Sequence, residues 1–186
     1  MQVEDTKLDG VLIITPRRFG DARGFFAETW NAETFRTHGI DLEFVQDNHS
    51  LSASPGTLRG LHFQVPPRAQ AKLVRCGRGA LFDVAVDLRR NRDTYGQWVG
   101  VELSAENGRQ LLIPAGFAHG FVTRETNTEI CYKCTDTYAP DHEGALRWDD
   151  PDLAIDWGLT GPPVLSDKDA AAQAFASFET PFEGAS

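Results

Sequence analysis

Apolar and polar residues alternate along most of this chain with a period of two, the mark of half-buried strands. The clearest run is Leu81 to Leu88: Phe82, Val84, Val86 and Leu88 share one face, Asp83 and Asp87 the other. The same pattern, or a short β-branched run, marks strands at Val11 to Thr15, Phe25 to Trp30, Phe44 to Ser50, Thr57 to Gln64 and Lys72 to Cys76. Trp98 to Leu103, Gln110 to Pro114, His119 to Thr123, Thr128 to Thr135 and Ala145 to Trp148 complete the series. Gly, Pro, Asn and Asp turns separate these segments at short, even intervals, which predicts an all-β sandwich or barrel. Two peripheral helices are expected. Asn31 caps one that runs to about Thr37 and ends at Gly39. Ser166-Asp-Lys-Asp169 reads as a capping box that opens a C-terminal helix within residues 165–180.

The stretch Thr57-Leu-Arg-Gly-Leu-His-Phe-Gln64 sets an arginine, a glycine and a histidine inside an apolar strand. On an ideal strand His62 and Gln64 share a face and Arg59 takes the other. Gly60 predicts a bulge, which would bring Arg59 round to join His62.

The totals narrow the class. At 186 residues and 41% hydrophobic, the chain predicts a single domain, 1–186, with a real core. No apolar run approaches a membrane span, and the polar start Met1 to Gly10 predicts no secretory signal. Three cysteines in no framework spacing predict a reduced, cytoplasmic protein. Cys131 and Cys134 fall in a strand, where residues three apart point to opposite faces, so they read as packing thiols. A net charge of −9 without a basic run argues against a nucleic-acid groove, yet leaves room for a local cluster of cations around a small anion.

Four side chains carry candidate chemistry. His62 carries an imidazole, a side chain that can serve as a general base. Lys72 and Arg59 offer positive charge for an oxyanion. Tyr132, mid-strand on the Ile130/Cys134 face, carries a phenol that could donate a proton. Three of them also have a plainer use, as core histidine, strand-end lysine and buried tyrosine, and Asp169 by itself reads as the third residue of a helix cap.

Ile113-Pro-Ala-Gly-Phe-Ala-His119 contains Pro-x-Gly-x-x-His, which resembles the second signature of the cupin jelly rolls. Where the first signature usually has His-x-His, this chain has His62-Phe-Gln64. Two histidines and an amide fall short of the three or four ligands a metal site needs, so no metal is expected.

A wider likeness joins these pieces. Gly56-Thr-Leu-Arg-Gly-Leu-His-Phe-Gln64, Gln70-Ala-Lys-Leu-Val-Arg-Cys76, Phe82-Asp-Val-Ala-Val-Asp-Leu-Arg89 and Leu103-Ser-Ala-Glu-Asn107 resemble the dTDP-4-dehydrorhamnose 3,5-epimerases. So do Ile113 to Phe121, Tyr132-Lys-Cys-Thr135, Tyr138-Ala-Pro140 and Leu165-Ser-Asp-Lys-Asp169, in the family's order. Ala71 stands where the family commonly has glycine, and Gly158 follows Trp157 where proline is usual.

The resemblance implies a cupin-like jelly roll that inverts C3 and C5 of dTDP-4-dehydro-6-deoxy-glucose without metal or cofactor. It implies His62 as base, Asp169 as its partner, Tyr132 as acid and Lys72 as the enolate-stabilising cation. Gln46, Asp47, Asn48, Arg59, His119, Tyr138, Glu143 and Lys168 resemble substrate-binding positions. Phe19, Arg23 and Glu28 match positions that serve a neighbouring subunit, which implies a homodimer exchanging N-terminal strands within residues 1–50. The alternatives are a mono-epimerase or ketoisomerase of a related sugar nucleotide, a metal-dependent cupin enzyme, and a sugar-binding jelly roll without activity.

Overall fold

The computed structural model describes residues 1–183. Thirteen strands follow in order: β1 (Gln2–Asp5), β2 (Leu12–Thr15), β3 (Arg18–Asp21), β4 (Gly24–Ala27), β5 (Gln46–Ser52), β6 (Leu58–Gln64) and β7 (Lys72–Arg78). Then come β8 (Ala80–Asp87), β9 (Trp98–Ser104), β10 (Gln110–Ile113), β11 (Phe117–Thr123), β12 (Thr128–Cys134) and β13 (Glu143–Ala145). Helix α1 (Ala32–Arg36) lies between β4 and β5, and α2 (Asp167–Ala170) follows β13. The strands form a six-stranded sheet, β1-β2-β10-β7-β12-β5, a five-stranded sheet, β13-β6-β11-β8-β9, and the separate hairpin β3-β4. All strand pairings within them are antiparallel, and the two large sheets face each other as a jelly roll.

Three apolar clusters organise these layers. Val74, Leu81, Ala85, Val101, Leu111, Phe117 and Ile130 fill one end of the space between the sheets. On the outer face of the five-stranded sheet, Leu58, Phe63, Val84, Val86 and Val122 pack under the C-terminal segment through Leu153, Trp157 and Phe182. On the outer face of the six-stranded sheet, Ile14, Leu73 and Leu112 pack under α1 through Phe35. With apolar residues spent outward as well as inward, the other end of the barrel interior is left to polar side chains.

Asn31 caps α1 as expected, its side chain accepting from the Glu33 and Thr34 N–H groups. The C-terminal helix is much shorter than expected. After the single turn of α2, the Gln173 carbonyl accepts from Arg147 N–H and the Phe175 N–H donates to Asp150, leaving only a 3-10 turn at Phe175–Ser177. Tertiary partners take the backbone groups that the alanine-rich sequence would have spent on helix.

Strands β1 and β3 were not expected. β1 is polar and forms by edge pairing with β2, while β3 is held by its hairpin. Within the chain, β2 pairs with β10 and β5 with β12, and Ile14 packs with Leu73 and Leu112 over the six-stranded sheet. Of the N-terminal strands, only β3-β4 stays outside the large sheets.

Candidate functional site

Strand β6 enters the five-stranded sheet with a bulge. His62 lies across from His119 and Arg59 across from Phe121, so three steps on β6 match two on β11. Gly60 makes this close approach possible. Its φ is +115°, and a Cβ there would fall 2.5 Å from the Gly120 Cα. The extra residue turns Arg59 toward the face that carries His62, and both line one cavity with Ser50, Lys72, His119, Phe121 and Tyr132.

A second cavity shares His62, Lys72 and Tyr132 and continues outward past Gln46, Asn48, Gln64, Gln70, Cys134, Tyr138 and Glu143. The two cavities hold about 190 and 110 Å³. His62, Arg59 and His119 come from the five-stranded sheet, and Lys72 and Tyr132 from the six-stranded sheet. The groups therefore converge from opposite walls.

His62 Nε2 lies 2.5 Å from Asp169 Oδ1. Asp169 is buried in α2 and also accepts from Ser166 Oγ at 2.8 Å. Burial pushes its carboxyl up, but the His62, Ser166 and Gly60 N–H contacts outweigh burial and hold it below the ordinary carboxylate range. With Nε2 committed to Asp169, Nδ1 is the nitrogen left to act as a base.

Lys72 reaches across the barrel to within 3.5 Å of the His62 carbonyl oxygen. Burial depresses its ammonium, while Cys134, Asp83 and Glu143 pull it partly back. Burial, with Cys134 adding to it, raises the Tyr132 phenol and keeps its proton in place, against a smaller pull from Arg59. Arg59 donates from Nε to Ser52 Oγ at 3.5 Å, which leaves most of its fork for a ligand. The site can thus remove a proton on one side, stabilise an oxyanion, and return a proton on the other.

His119 repeats the histidine–carboxylate theme deeper inside, with Nε2 2.7 Å from Asp83 Oδ1. Burial pushes this imidazole down, Asp83 pulls it partly back, and Lys72 and His62 push it further down. At the rim, Glu143 accepts from Lys168 Nζ at 2.5 Å and from Tyr138 Oη at 2.8 Å. Gln46 accepts from the Tyr138 N–H at 2.8 Å and donates to Asn48 at 3.1 Å.

Among the described residues, no group of three or more His, Cys, Asp or Glu side chains is placed to hold a metal ion. No described helix is long and apolar enough to cross a membrane.

Four expected positions lie elsewhere. Asp47 points to the outer face of its sheet and pairs with Lys133 at 2.9 Å. Phe19, Arg23 and Glu28 belong to the hairpin region: Phe19 is exposed, Arg23 is tied to Asp21, and Glu28 accepts from Asn31. The cavities also take in residues outside the expected set: Ser50, Phe121, Gln64, Gln70 and Cys134 line them, and Asp83 stands behind His119. Asp83 was only counted on a polar face, and Cys134 was read as a packing thiol, although it lines the outer cavity and accepts from Asn48 at 3.7 Å. A carboxylate in the middle of a strand as apolar as β8 is the available signal for Asp83.

Comparison with known proteins bears on what this site does. The family model described as dTDP-4-dehydrorhamnose 3,5-epimerase matches residues 5–177. The Pseudomonas aeruginosa protein of that description is 54% identical over 177 residues, 95% of this chain and 97% of the relative. That of Sinorhizobium fredii is 50% identical over 183 residues, 98% of this chain and 94% of the relative. Among solved structures, the Legionella pneumophila dTDP-6-deoxy-D-glucose-3,5-epimerase in complex with dTDP-4-keto-L-rhamnose superposes with a TM-score of 0.94 at 46% identity, covering 99% of each chain. A 3′-monoepimerase from Streptomyces bikiniensis in complex with dTDP-quinovose gives 0.87 at 35% identity, covering 92% of this chain and 87% of that one.

Proposed function

The chain belongs to the dTDP-4-dehydrorhamnose 3,5-epimerase family, and from that premise we propose how its residues do the work. The enzyme inverts C3 and C5 of dTDP-4-dehydro-6-deoxy-D-glucose and yields dTDP-4-dehydro-L-rhamnose. The observation that carries this reading is the pair His62–Asp169 on one wall with Tyr132 on the other, across a cavity that both walls share with Lys72.

The C4 ketone acidifies the protons on both neighbouring carbons, because the carbanion left behind delocalises as an enolate. His62 removes such a proton through Nδ1 while Asp169 stabilises the imidazolium. Lys72 faces the enolate oxygen, whose charge offsets the burial that depresses its ammonium. Tyr132, still protonated, returns a proton to the opposite face, and that difference of face is the inversion. Arg59 and His119 bind deeper parts of the ligand. Gln46, Asn48, Tyr138, Glu143 and Lys168 hold the nucleotide end at the rim. No step calls for a redox cofactor.

Phe19, Arg23 and Glu28 serve the site of a second copy in a homodimer. The separate hairpin supports this: it leaves Phe19, Phe25 and Phe26 between 53% and 68% exposed, an aromatic patch that a monomer rarely keeps. Light scattering that found only monomer would remove the dimer. Three free thiols support a reducing, cytoplasmic setting.

The test of the reaction is proton exchange in heavy water. Chelator-treated protein is incubated with dTDP-4-dehydro-6-deoxy-glucose, and the sugar is followed by NMR. Deuterium at C3 and C5 is expected. Deuterium at one carbon alone would reduce the activity to that of a mono-epimerase, and none at either carbon would overturn the reading.

A further inference from the structure

We propose that Ser166 is a positioning residue for the reaction, acting through Asp169. The inference rests on the reading of His62–Asp169 given above. Ser166 sits at the N-cap of α2 and accepts from the Asp169 N–H at 3.1 Å. In an ordinary capping box the acidic third residue returns the favour by accepting from the N-cap backbone N–H. Here it does not. The Asp169 carboxylate is turned away, with Oδ1 on His62 Nε2 and Oδ2 on Ser166 Oγ at 2.8 Å.

The backbone contact fixes the direction of the hydroxyl. Because the Asp169 N–H occupies a lone pair of Oγ, the Ser166 proton is free to point at Oδ2. Ser166 therefore holds one carboxylate oxygen and leaves the other aimed at the imidazole. A one-turn helix has little rigidity of its own, so this bond keeps the Asp169 carboxylate in register with a strand more than 100 residues away in sequence. Without it the carboxylate can rotate, and His62 loses its fixed tautomer and direction.

The test compares three variants by kcat, KM and the rate of deuterium entry. Ser166→Ala removes both the donor and the cap. Ser166→Asp keeps a cap acceptor but has no hydroxyl to donate at neutral pH. Ser166→Thr keeps both. Losing a hydrogen bond to a charged group predicts a fall in kcat of roughly tenfold or more for the alanine and aspartate variants, with KM within about twofold. Ser166→Thr should stay near wild type. If Ser166→Ala folds poorly, Ser166→Asp carries the comparison, since aspartate caps as well as serine. An aspartate or a folded alanine variant with wild-type kcat overturns the inference while leaving the reaction intact. A wild-type protein that exchanges neither proton overturns the reading of the site, and this inference with it.

Discussion

Two histidine–aspartate pairs stand side by side in this barrel and differ in almost everything except their chemistry. In both, Nε2 meets Oδ1, at 2.5 Å for His62–Asp169 and 2.7 Å for His119–Asp83. The His62 side chain is 30% exposed while that of His119 is 7% exposed. Asp169 comes from the C-terminal segment and owes its place to a helix turn, whereas Asp83 sits on β8, the strand beside that of His119. The outer pair can exchange protons with a ligand and solvent. The inner pair is locked into the sheet, and the Asp83 Oδ2 has no hydrogen-bond partner among the described residues. A carboxylate beside an imidazole is therefore no sufficient sign of a base. Access and the origin of the carboxylate separate a working pair from one that holds charge and shape.

The largest effect expected from breaking this symmetry is at His62. His62→Ala removes the base and leaves Asp169 without its partner, so deuterium entry at both carbons should fall by roughly 10³-fold or more. Near-normal turnover would show that the base lies elsewhere. Tyr132→Phe should do less and do it selectively. It leaves the base in place, so the first proton is still lost, while return to the opposite face slows by about 10²-fold. The signature is deuterium entering recovered starting sugar faster than inverted product forms. Equal losses in both would mean that Tyr132 shapes the site rather than supplying the proton.

Much of this arrangement was legible in the sequence, for physical reasons that differ by element. Alternation and short β-branched runs locate nine of the eleven strands in the two large sheets, because each has an apolar face to bury, while the strand expected at Ala145 to Trp148 forms instead at Glu143–Ala145. The bulge at Gly60 could be read because a glycine inside a strand has few other uses, and the β6–β11 register bears it out. Strand β1 was illegible because an edge strand made of Gln2, Val3, Glu4 and Asp5 buries little and is held by backbone pairing. The C-terminal helix misled because alanine-rich propensity is weak beside the tertiary bonds that claim Gln173 and Phe175. Asp83 escaped notice for a related reason. Alternation shows which residues share a face, but not that both faces of β8, the polar one included, are buried.

The smallest expected effect concerns stability against pH, and it again sets the two pairs apart. The buried His119 resists protonation, so its pKa lies below the ordinary 6.5. As pH falls below 6.5 the unfolded chain takes up that proton and the folded one does not, and stability declines until the folded value is passed. A single group of this kind contributes at most about 1.4 kcal/mol per pH unit. Asp169 acts further down. Its folded carboxyl lies below the ordinary 3.8, so its contribution is present above 3.8 and is lost as pH falls through the folded value. Asp87 and Glu143 are lowered as well and share that acid limb. Melting temperatures measured from pH 7 down to 3 should therefore show two declines. His119→Gln should flatten the upper one, and Asp169→Asn should only make the lower one shallower. If His119→Gln kept the full decline between pH 6.5 and 5, the inner histidine would not be the group resisting protonation, and the division of labour between the pairs would have to be redrawn.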